Sequence, residues 1–219
     1  MDNTTMKITI AGGHGKIAML AHPMLKEKGH TIRALIRKPE QAQDIMNAGA
    51  EPVLCDIEKE DDISMMVGDA DAVVFAAGAG PGSGKDRKWT VDRDGALKLI
   101  RAAQTNGVDR YIMISAMGLD TLRGDEIFQV YQKAKKEADE AVKNSGLHHT
   151  IIKPGRLTDE PGNAKIKIGK NLEGGSIPRE DVARVLVEVL ENPDMISEEF
   201  DLLSGETDIK EAFMQYLNP

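Results

Sequence analysis

Residues 7–18 read KITIAGGHGKIA, and this stretch decides the fold. A β-branched run, Lys7–Ala11, leads into glycines, and a helical pattern begins at Lys16. Read from Gly13, the turn is G-x-G-x-x-A; read from Gly12, it is G-x-x-G-x-x-A. Glycines at these positions permit a tight turn between a strand and a helix, and they let another group approach the backbone closely.

The turn has the spacing of a dinucleotide-binding loop. The N-terminus of the following helix offers unpaired N–H groups and a positive dipole end to a pyrophosphate. Ala18 takes the third position, where a small residue lets helix and strand pack closely. Glycines also mark ordinary strand-to-helix turns, but the position at the start of a strand–helix–strand unit favours cofactor binding. We expect the dinucleotide to contact Gly12, Gly13, His14, Gly15, Lys16 and Ile17.

Strand-like and helix-like segments alternate outward from this turn. The predicted strands are Lys7–Ala11, Thr31–Ile36, Glu51–Cys55, Ala72–Phe75, Arg110–Ser115 and Thr150–Ile152. The predicted helices are roughly Lys16–Lys28, Glu40–Ala48, Asp61–Val67, Arg87–Thr105 and Glu126–Ser145. Short apolar strands alternating with amphipathic helices predict an α/β fold, a doubly wound parallel sheet in three αβα layers.

The C-terminal part follows a less regular pattern. Arg156–Gly175 is predicted to be rich in loops, and a helix follows it. Phe200–Leu203 is a candidate strand and Ile209–Leu217 a candidate last helix. Because no repeat or clean linker divides the chain, we expect a single domain over residues 1–219, in which residues 156–219 form a small substrate-side portion.

The composition restricts the possible functions. The 28 Lys and Arg against 36 Asp and Glu give a net charge of −8, so nucleic acid is not an expected partner. The longest apolar runs, such as Ala72–Ala77, are too short to span a membrane, and the polar segment Met1–Met6 does not resemble a signal peptide. Cys55 is the single cysteine and the histidines are scattered, so neither a disulfide nor a metal site is expected. We expect a cytoplasmic protein.

The end of the second predicted strand indicates which dinucleotide binds. An NAD site usually has an acid there for the ribose 2′-hydroxyl, whereas residues 33–39 contain none. Arg37 and Lys38 occupy this place, and an arginine can hold a 2′-phosphate through paired hydrogen bonds. The alternative is that both are solvated loop charges. We expect NADP, with NAD the less favoured cofactor.

Two more cofactor contacts are expected at strand ends. Asp56 and Ile57 follow the third strand, where the adenine edge would lie, although Asp56 is equally well explained as the cap of a turn. The small residues Ala76, Ala77 and Gly78 follow the fourth strand, where the cofactor ribose could lie on the backbone.

Tyr131 and Lys135 form a candidate catalytic pair. They are four residues apart on a predicted helix and therefore share a face. A lysine ammonium near a tyrosine hydroxyl lowers the pKa of the tyrosine, which makes it a usable proton donor or acceptor near neutral pH. Ser115 ends the preceding strand and could hydrogen-bond a substrate carbonyl. The alternative is an ordinary exposed helix pair, since Y-x-x-x-K is common by chance.

Together these motifs resemble an atypical short-chain dehydrogenase/reductase, of the NmrA-like and epimerase-like branch with a Rossmann fold. The resemblance covers Lys7 to about Asp181. It rests on Gly12-x-x-Gly15-x-x-Ala18, Val91-Asp92, Ser115, Tyr131-x-x-x-Lys135 and Lys153-Pro154-Gly155.

The resemblance implies a role for each matching residue. Ser115 would orient the substrate, and Tyr131 would give or take the proton. Lys135 would hold the cofactor ribose and tune Tyr131, while Pro154 and Gly155 would border the nicotinamide.

Two features depart from the wider family. Asp92 stands where many members have an asparagine that helps a proton relay, and an alanine replaces the third glycine. Residues 156–219 are too few for the large substrate domain of the extended members, which favours a small carbonyl or quinone-like substrate. An NADPH-dependent reductase is therefore expected, acting on a small molecule as a monomer or homodimer. The alternatives are an epimerase or dehydratase with tightly held NAD(P) and a non-catalytic NADP-sensing protein.

Overall fold

The computed structural model describes residues 5–80 and 82–218. The strands are β1 (Lys7–Ala11), β2 (Thr31–Ile36), β3 (Glu51–Leu54), β4 (Ala72–Phe75), β5 (Arg110–Ile114), β6 (His148–Pro154), β7 (Arg156–Thr158), β8 (Lys165–Gly169), β9 (Ser176–Pro178), β10 (Glu198–Ser204) and β11 (Thr207–Asp208). The helices are α1 (Lys16–Glu27), α2 (Ala42–Asn47), α3 (Ser64–Val67), α4 (Lys85–Arg87), α5 (Asp94–Asn106), α6 (Glu126–Lys143), α7 (Arg179–Glu191) and α8 (Ile209–Leu217). Most of the segment Met1–Met6 lies outside the described residues.

A nine-stranded sheet runs through the centre in the order β11-β8-β10-β6-β5-β4-β1-β2-β3. Every pair from β10 to β3 is parallel. The predicted doubly wound parallel sheet is therefore confirmed, with an antiparallel addition at one edge formed by β8 and β11.

Helices cover both faces of the sheet because its central strands are apolar on both sides. All four residues of β4 are fully buried. One core packs side chains of α1, α7 and α8 on the sheet, and a second core packs side chains of α3, α5 and α6 on the opposite face. This is the three-layer αβα arrangement expected of parallel strands joined by crossover helices.

The loop-rich stretch Arg156–Gly175 contains two strands that were not predicted. β7 pairs in parallel with β9 as a separate two-stranded sheet, and β8 joins the central sheet. Lys165–Ile168 reads K-I-K-I, the two-residue alternation of a half-buried strand, and Ile166 is fully buried whereas Lys167 is exposed.

Several predicted boundaries shift for local reasons. α3 begins only at Ser64, because the Asp62 carboxylate accepts hydrogen bonds from the Ser64 backbone N–H and hydroxyl. The helix predicted at Arg87–Thr105 is instead α4, a π-helical stretch at Lys88–Arg93, and α5. π-Helical segments are frequent at functional sites, and this one contains Asp92.

The strand order reverses between β1 and β4, which are neighbours in the sheet. In open α/β sheets, ligands bind outside the carboxyl ends of the strands at such a switch point. The loops that follow these two strands, starting at Gly12 and Ala76, therefore mark the place for a bound cofactor. No helix among residues 5–80 and 82–218 is long and apolar enough to cross a membrane.

Candidate functional site

The glycine turn after β1 is packed so closely that side chains are excluded. Gly12 has a φ of +81°, and a Cβ built on it would lie 2.6 Å from the Cα of Ala77. A Cβ on Gly13 would lie 2.6 Å from the Cβ of Ala34. Gly15 has an ordinary φ of −69°, and its added Cβ would lie 3.0 Å from the Gly12 carbonyl oxygen. The first two glycines therefore serve the packing of the loop, whereas Gly15 lines a cavity at the switch point, and a Cβ there would meet only a tight contact with the Gly12 carbonyl.

A buried histidine supports this turn from below. The Nε2 of His22, on α1, lies 2.7 Å from the carbonyl oxygen of Gly13, and His22 is fully buried. Burial lowers the pKa of His22 below its ordinary value, which favours the neutral ring as hydrogen-bond donor to the carbonyl. The sequence did not predict this role, because His22 is nine residues from Gly13 along the chain. The two groups meet only once α1 has formed behind the turn.

A cavity of about 220 Å³ opens at the switch point. Of the expected cofactor contacts, its lining includes Gly12, His14, Gly15, Arg37, Asp56, Ile57, Ala76, Ala77 and Gly78. The loops from β1, β2, β3 and β4 thus meet at one place, as the motifs predicted.

Four of the contacts expected from the glycine turn and from the end of β2 do not line this cavity. Gly13 faces Ala34, and the side chain of Ile17 packs in the core. The Lys16 ammonium lies 2.7 Å from the Asp159 carboxylate, and Lys38 is exposed at the start of a 3₁₀ turn. Their side chains therefore point elsewhere, although the backbone of Lys16 and Ile17 still forms the first turn of α1. No acidic residue stands in that turn, which suits an anion.

The charges at this cavity are unevenly neutralised. The Glu58 carboxylate lies 2.6 Å from the Arg87 guanidinium, which holds the pKa of Glu58 below its ordinary value. The Asp56 carboxylate lies 3.0 Å from the Lys59 ammonium. Arg37 makes no ion pair with any residue that the structure describes. Its charge still acts on Asp56: burial would raise the pKa of Asp56, but Lys59 and, to a smaller extent, Arg37 lower it below its ordinary value.

A second, larger cavity of about 740 Å³ lies at the ends of β5 and β6. Ser115, Tyr131, Pro154 and Gly155 all line it, so residues from three separate motifs meet here. Position 155 needs a glycine because the backbone of Gly175 packs closely against it. A Cβ on Gly155 would lie 2.6 Å from the Gly175 carbonyl oxygen. Neither Lys135 nor Asp92 lines the cavity, because both lie buried behind it, each 2% exposed.

A buried polar cluster lies behind the wall of this cavity. The Ser115 hydroxyl donates to the Asp139 carboxylate at 2.6 Å, and the Lys135 ammonium donates to the Ile114 carbonyl at 2.7 Å. The Asp92 carboxylate accepts from the Ala79 backbone N–H at 3.3 Å. Asp139 is 2% exposed and its Oδ1 has no hydrogen-bond partner among the described residues.

The expected lowering of the Tyr131 pKa is wrong for this arrangement. Burial raises the pKa of Tyr131 above its ordinary value, and the Asp92 and Asp139 carboxylates raise it further. Burial likewise lowers the pKa of Lys135, an effect that Asp92 and Asp139 oppose. The positive charge of Lys135 is therefore balanced by the Asp92 and Asp139 carboxylates and does not lower the pKa of Tyr131. The Tyr131 phenol stays protonated.

Asp139 and Gln132 are the site residues that sequence analysis missed. Gln132 is 1% exposed, and its side chain donates to the carbonyls of Gly118 and Thr121 and accepts from the Arg123 backbone N–H. It thereby ties the loop over the cavity to α6. Asp139 could have been predicted from the sequence, because Tyr131, Lys135 and Asp139 are each four residues apart and therefore share one face of the helix.

The residues around the first cavity fit a dinucleotide. The side-chain-free glycine loop, the uncapped N-terminus of α1 and the guanidinium of Arg37 are the features that a pyrophosphate and a phosphorylated ribose require.

Comparisons with known proteins agree with this geometry. The profile of a family described as NAD(P)H-binding matches residues 12–193. A Bacillus subtilis protein called an uncharacterized sugar epimerase is 38% identical over 210 residues, which cover 94% of this chain and 98% of that protein.

Two solved structures are similar along nearly their whole length. A putative NAD-dependent epimerase/dehydratase from Bacillus halodurans has a TM-score of 0.90 and 35% identity, covering 96% of this chain and 99% of its own. An oxidoreductase from Lactococcus lactis has a TM-score of 0.86 and 26% identity, covering 98% of each chain.

Proposed function

This chain belongs to the NAD(P)H-binding family, and on that premise we propose that it is an NADP(H)-dependent reductase of a small carbonyl or quinone-like substrate. The observation that carries the proposal is the convergence of Ser115, Tyr131, Pro154 and Gly155 on one cavity at the ends of β5 and β6. The proposal includes one domain over residues 1–219, a cytoplasmic location, and action as a monomer or homodimer.

The preference for NADP rests on the charges of the first cavity. A 2′-phosphate needs a cation that no carboxylate already neutralises, and Arg37 meets this requirement. The two acids of the lining, Asp56 and Glu58, are each held by a neighbouring cation. Neither is free to accept hydrogen bonds from both ribose hydroxyls, as the acid of an NAD site does.

The bound cofactor would supply a hydride, and the chain would supply the proton and the alignment. The Tyr131 phenol, held protonated by its surroundings, gives its proton to the carbonyl oxygen as negative charge develops there. Pro154 and Gly155 line the cavity and would border the nicotinamide of the bound cofactor. Lys135 and Asp92 keep the phenol's electrostatic environment fixed from behind.

Ser115 has a more restricted part than the resemblance implies. Its hydrogen is donated to Asp139, so it offers the cavity lone pairs rather than a hydrogen bond to a carbonyl. Ser115 can donate to the substrate only when Asp139 carries a proton and donates to the Ser115 oxygen instead. Burial raises the pKa of Asp139, which makes this arrangement more accessible than it would be in water.

Two other functions are supported by particular observations. Relatives named as epimerases favour an epimerase or dehydratase that regenerates its cofactor. The commitment of Ser115 to Asp139 and of Lys135 to a backbone carbonyl favours a protein that binds NADP without turnover.

The test is to follow NADPH consumption by the purified protein on a panel of aldehydes, ketones and quinones, with Tyr131→Phe as the matched variant. A reductase consumes NADPH in proportion to product, and the variant is slower. Interconversion of sugar stereoisomers without net NADPH consumption would establish the epimerase. Tight NADPH binding with no turnover of any compound would contradict the reductase and support the sensor.

A further inference from the structure

The cavity that Tyr131 lines has a charge opposite to that of the whole chain. Its described lining includes three arginines, Arg123, Arg156 and Arg179, and no aspartate or glutamate. The chain as a whole has more acidic than basic residues, with a net charge of −8. Most of the remaining lining is apolar and includes Leu119, Phe128, Leu157 and Leu172.

Two of these arginines are available to a ligand. The Arg179 guanidinium lies 2.7 Å from the Asp159 carboxylate and is already paired. Neither the Arg123 nor the Arg156 guanidinium makes an ion pair or a hydrogen bond with any residue in the described part of the chain. Both are exposed residues whose side chains line a mostly apolar cavity, and guanidinium groups in such a place are suited to carboxylate and phosphate groups.

The backbone of Arg123 is fixed in relation to Tyr131. Gln132, the next residue on α6, accepts a hydrogen bond from the Arg123 N–H at 2.9 Å and donates to Gly118 at 2.8 Å. The Arg123 guanidinium also lies against the Gly118 backbone, since a Cβ on Gly118 would lie 2.7 Å from its Nη2. The Gln132 side chain therefore holds the loop that carries Arg123, and Arg123 and Tyr131 line the same cavity.

Arg156 is fixed on the opposite wall. It begins β7 directly after Gly155, and its backbone N–H donates to the Gly175 carbonyl at 2.9 Å. Pairing of β7 with β9 places Arg156 opposite Ser176. A cation on this strand lies close to the wall assigned to the nicotinamide.

We infer that the substrate of this cavity is an apolar molecule carrying an anionic oxygen group, a carboxylate or a phosphate, held by Arg123 and Arg156. The apolar body lies on the leucines and Phe128. The placement of a reacting carbonyl at Tyr131 rests on the proposed function. The anion site does not, because it is inferred from the arginines and apolar side chains that line the cavity.

The test is calorimetric titration of the NADP⁺-saturated protein with three probes of one shape: 1-naphthoate, 1-naphthyl phosphate and neutral 1-naphthamide. We expect at least one anion to bind about a hundredfold more tightly than the amide, about tenfold for one charge-assisted hydrogen bond from each arginine. Arg123→Gln and Arg156→Gln should each remove about tenfold of that affinity and leave the amide unchanged. Arg101→Gln, on the exposed surface of α5, is the matched control and should change nothing.

The two anionic probes distinguish the sources of charge, since tighter binding of the naphthoate points to a carboxylate and the reverse points to a phosphate. Equal binding of anion and amide, or no detectable binding of either anion, would overturn the inference. So would loss of NADP⁺ affinity in the Arg123 and Arg156 variants, because the arginines would then serve the cofactor. If the unaltered protein fails to bind NADP⁺, the proposed function fails, and the same probe comparison on the cofactor-free protein still decides the inference.

Discussion

Single glycines in the turn after β1 have separable tasks. Gly15 has an ordinary backbone conformation and lines the first cavity. We therefore predict that Gly15→Val abolishes NADP binding and leaves the protein folded, because the valine fills the space that the pyrophosphate needs. Calorimetry with circular dichroism on the same sample measures both properties, and Gly15→Ala should give an intermediate loss.

Gly12→Val is the informative control. Its left-handed φ costs about 1–2 kcal/mol for a residue with a side chain, and the clash with Ala77 adds to this. The variant should lose thermal stability or fail to fold. Undiminished NADP affinity in folded Gly15→Val would mean that the cofactor lies elsewhere.

Tyr131→Phe removes one hydroxyl and keeps the ring that stacks on Phe128. If Tyr131 gives the proton, turnover should fall by about 10²–10⁴, with little change in NADPH affinity. Lys135→Met should also lower turnover, because it leaves the Asp92 and Asp139 carboxylates unbalanced beside the phenol. It should lower NADPH affinity as well only if the Lys135 ammonium leaves the Ile114 carbonyl to hold the ribose when the cofactor binds. Steady-state kinetics and NADPH titration measure the two effects. Near-normal turnover of Tyr131→Phe would remove the tyrosine from the mechanism.

Asp139 acts through its neighbours, and its removal should appear in the pH profile. Because its carboxylate contributes to the raised pKa of Tyr131, Asp139→Asn should lower that pKa. A proton donor is lost as the pH rises through its pKa, so the alkaline limb of kcat/KM should move to lower pH. Glu140→Gln, exposed on the same helix, should leave the limb in place. An unchanged limb in Asp139→Asn would show that the carboxylate has only a structural role.

At the scale of elements, the loop that covers the substrate cavity depends on α6. Gln132 makes three hydrogen bonds to residues 118–123 from a buried position. Gln132→Leu leaves these backbone groups unpaired, so we expect a loss of about 1–3 kcal/mol of stability. Hydrogen exchange should accelerate in residues 118–123 while NADP affinity stays the same. Lys133→Leu, exposed on α6, is the control and should have little effect on either.

The elements that sequence patterns predicted best are those with the clearest periodicity. β1, β2 and β4 were predicted with the observed bounds, because each is a short apolar run next to a glycine or a charged turn. β8 was missed because its alternation spans only four residues and lies between loops. Its place in the sheet depends on pairing with β10, between residues as far apart in sequence as Ile166 and Ser204.

The site divides in the same way. The glycine loop, Tyr131 and Ser115 have motifs whose spacing carries chemistry, so they could be predicted. The direction of the Ser115 hydroxyl and the orientation of Lys135 toward Ile114 could not, because they depend on Asp139 and Asp92 reaching one buried place from different segments. Burial of these charges also reversed the expected shift of the Tyr131 pKa.

At the scale of the whole molecule, one sheet edge joins two cavities of different character. The strand order reverses between β1 and β4, which opens the cofactor cavity, and β5 and β6 continue the same edge into the substrate cavity. The chain has a net charge of −8, yet arginines without an ion pair among the described residues line both cavities: Arg37 the first, and Arg123 and Arg156 the second. This distribution favours anionic groups at both ends of the site.

The central claim is that this family member uses NADP(H), and paired calorimetric titrations with NADP⁺ and NAD⁺ test it most directly. The interaction of Arg37 with a 2′-phosphate should favour NADP⁺ by about 1.5–3 kcal/mol, or roughly ten- to a hundredfold. Arg37→Asp should reverse the preference toward NAD⁺, because the new carboxylate repels the phosphate and can accept hydrogen bonds from the ribose hydroxyls. Equal affinity for the two dinucleotides in the unaltered protein, or a ratio that Arg37→Asp leaves unchanged, would contradict the claim.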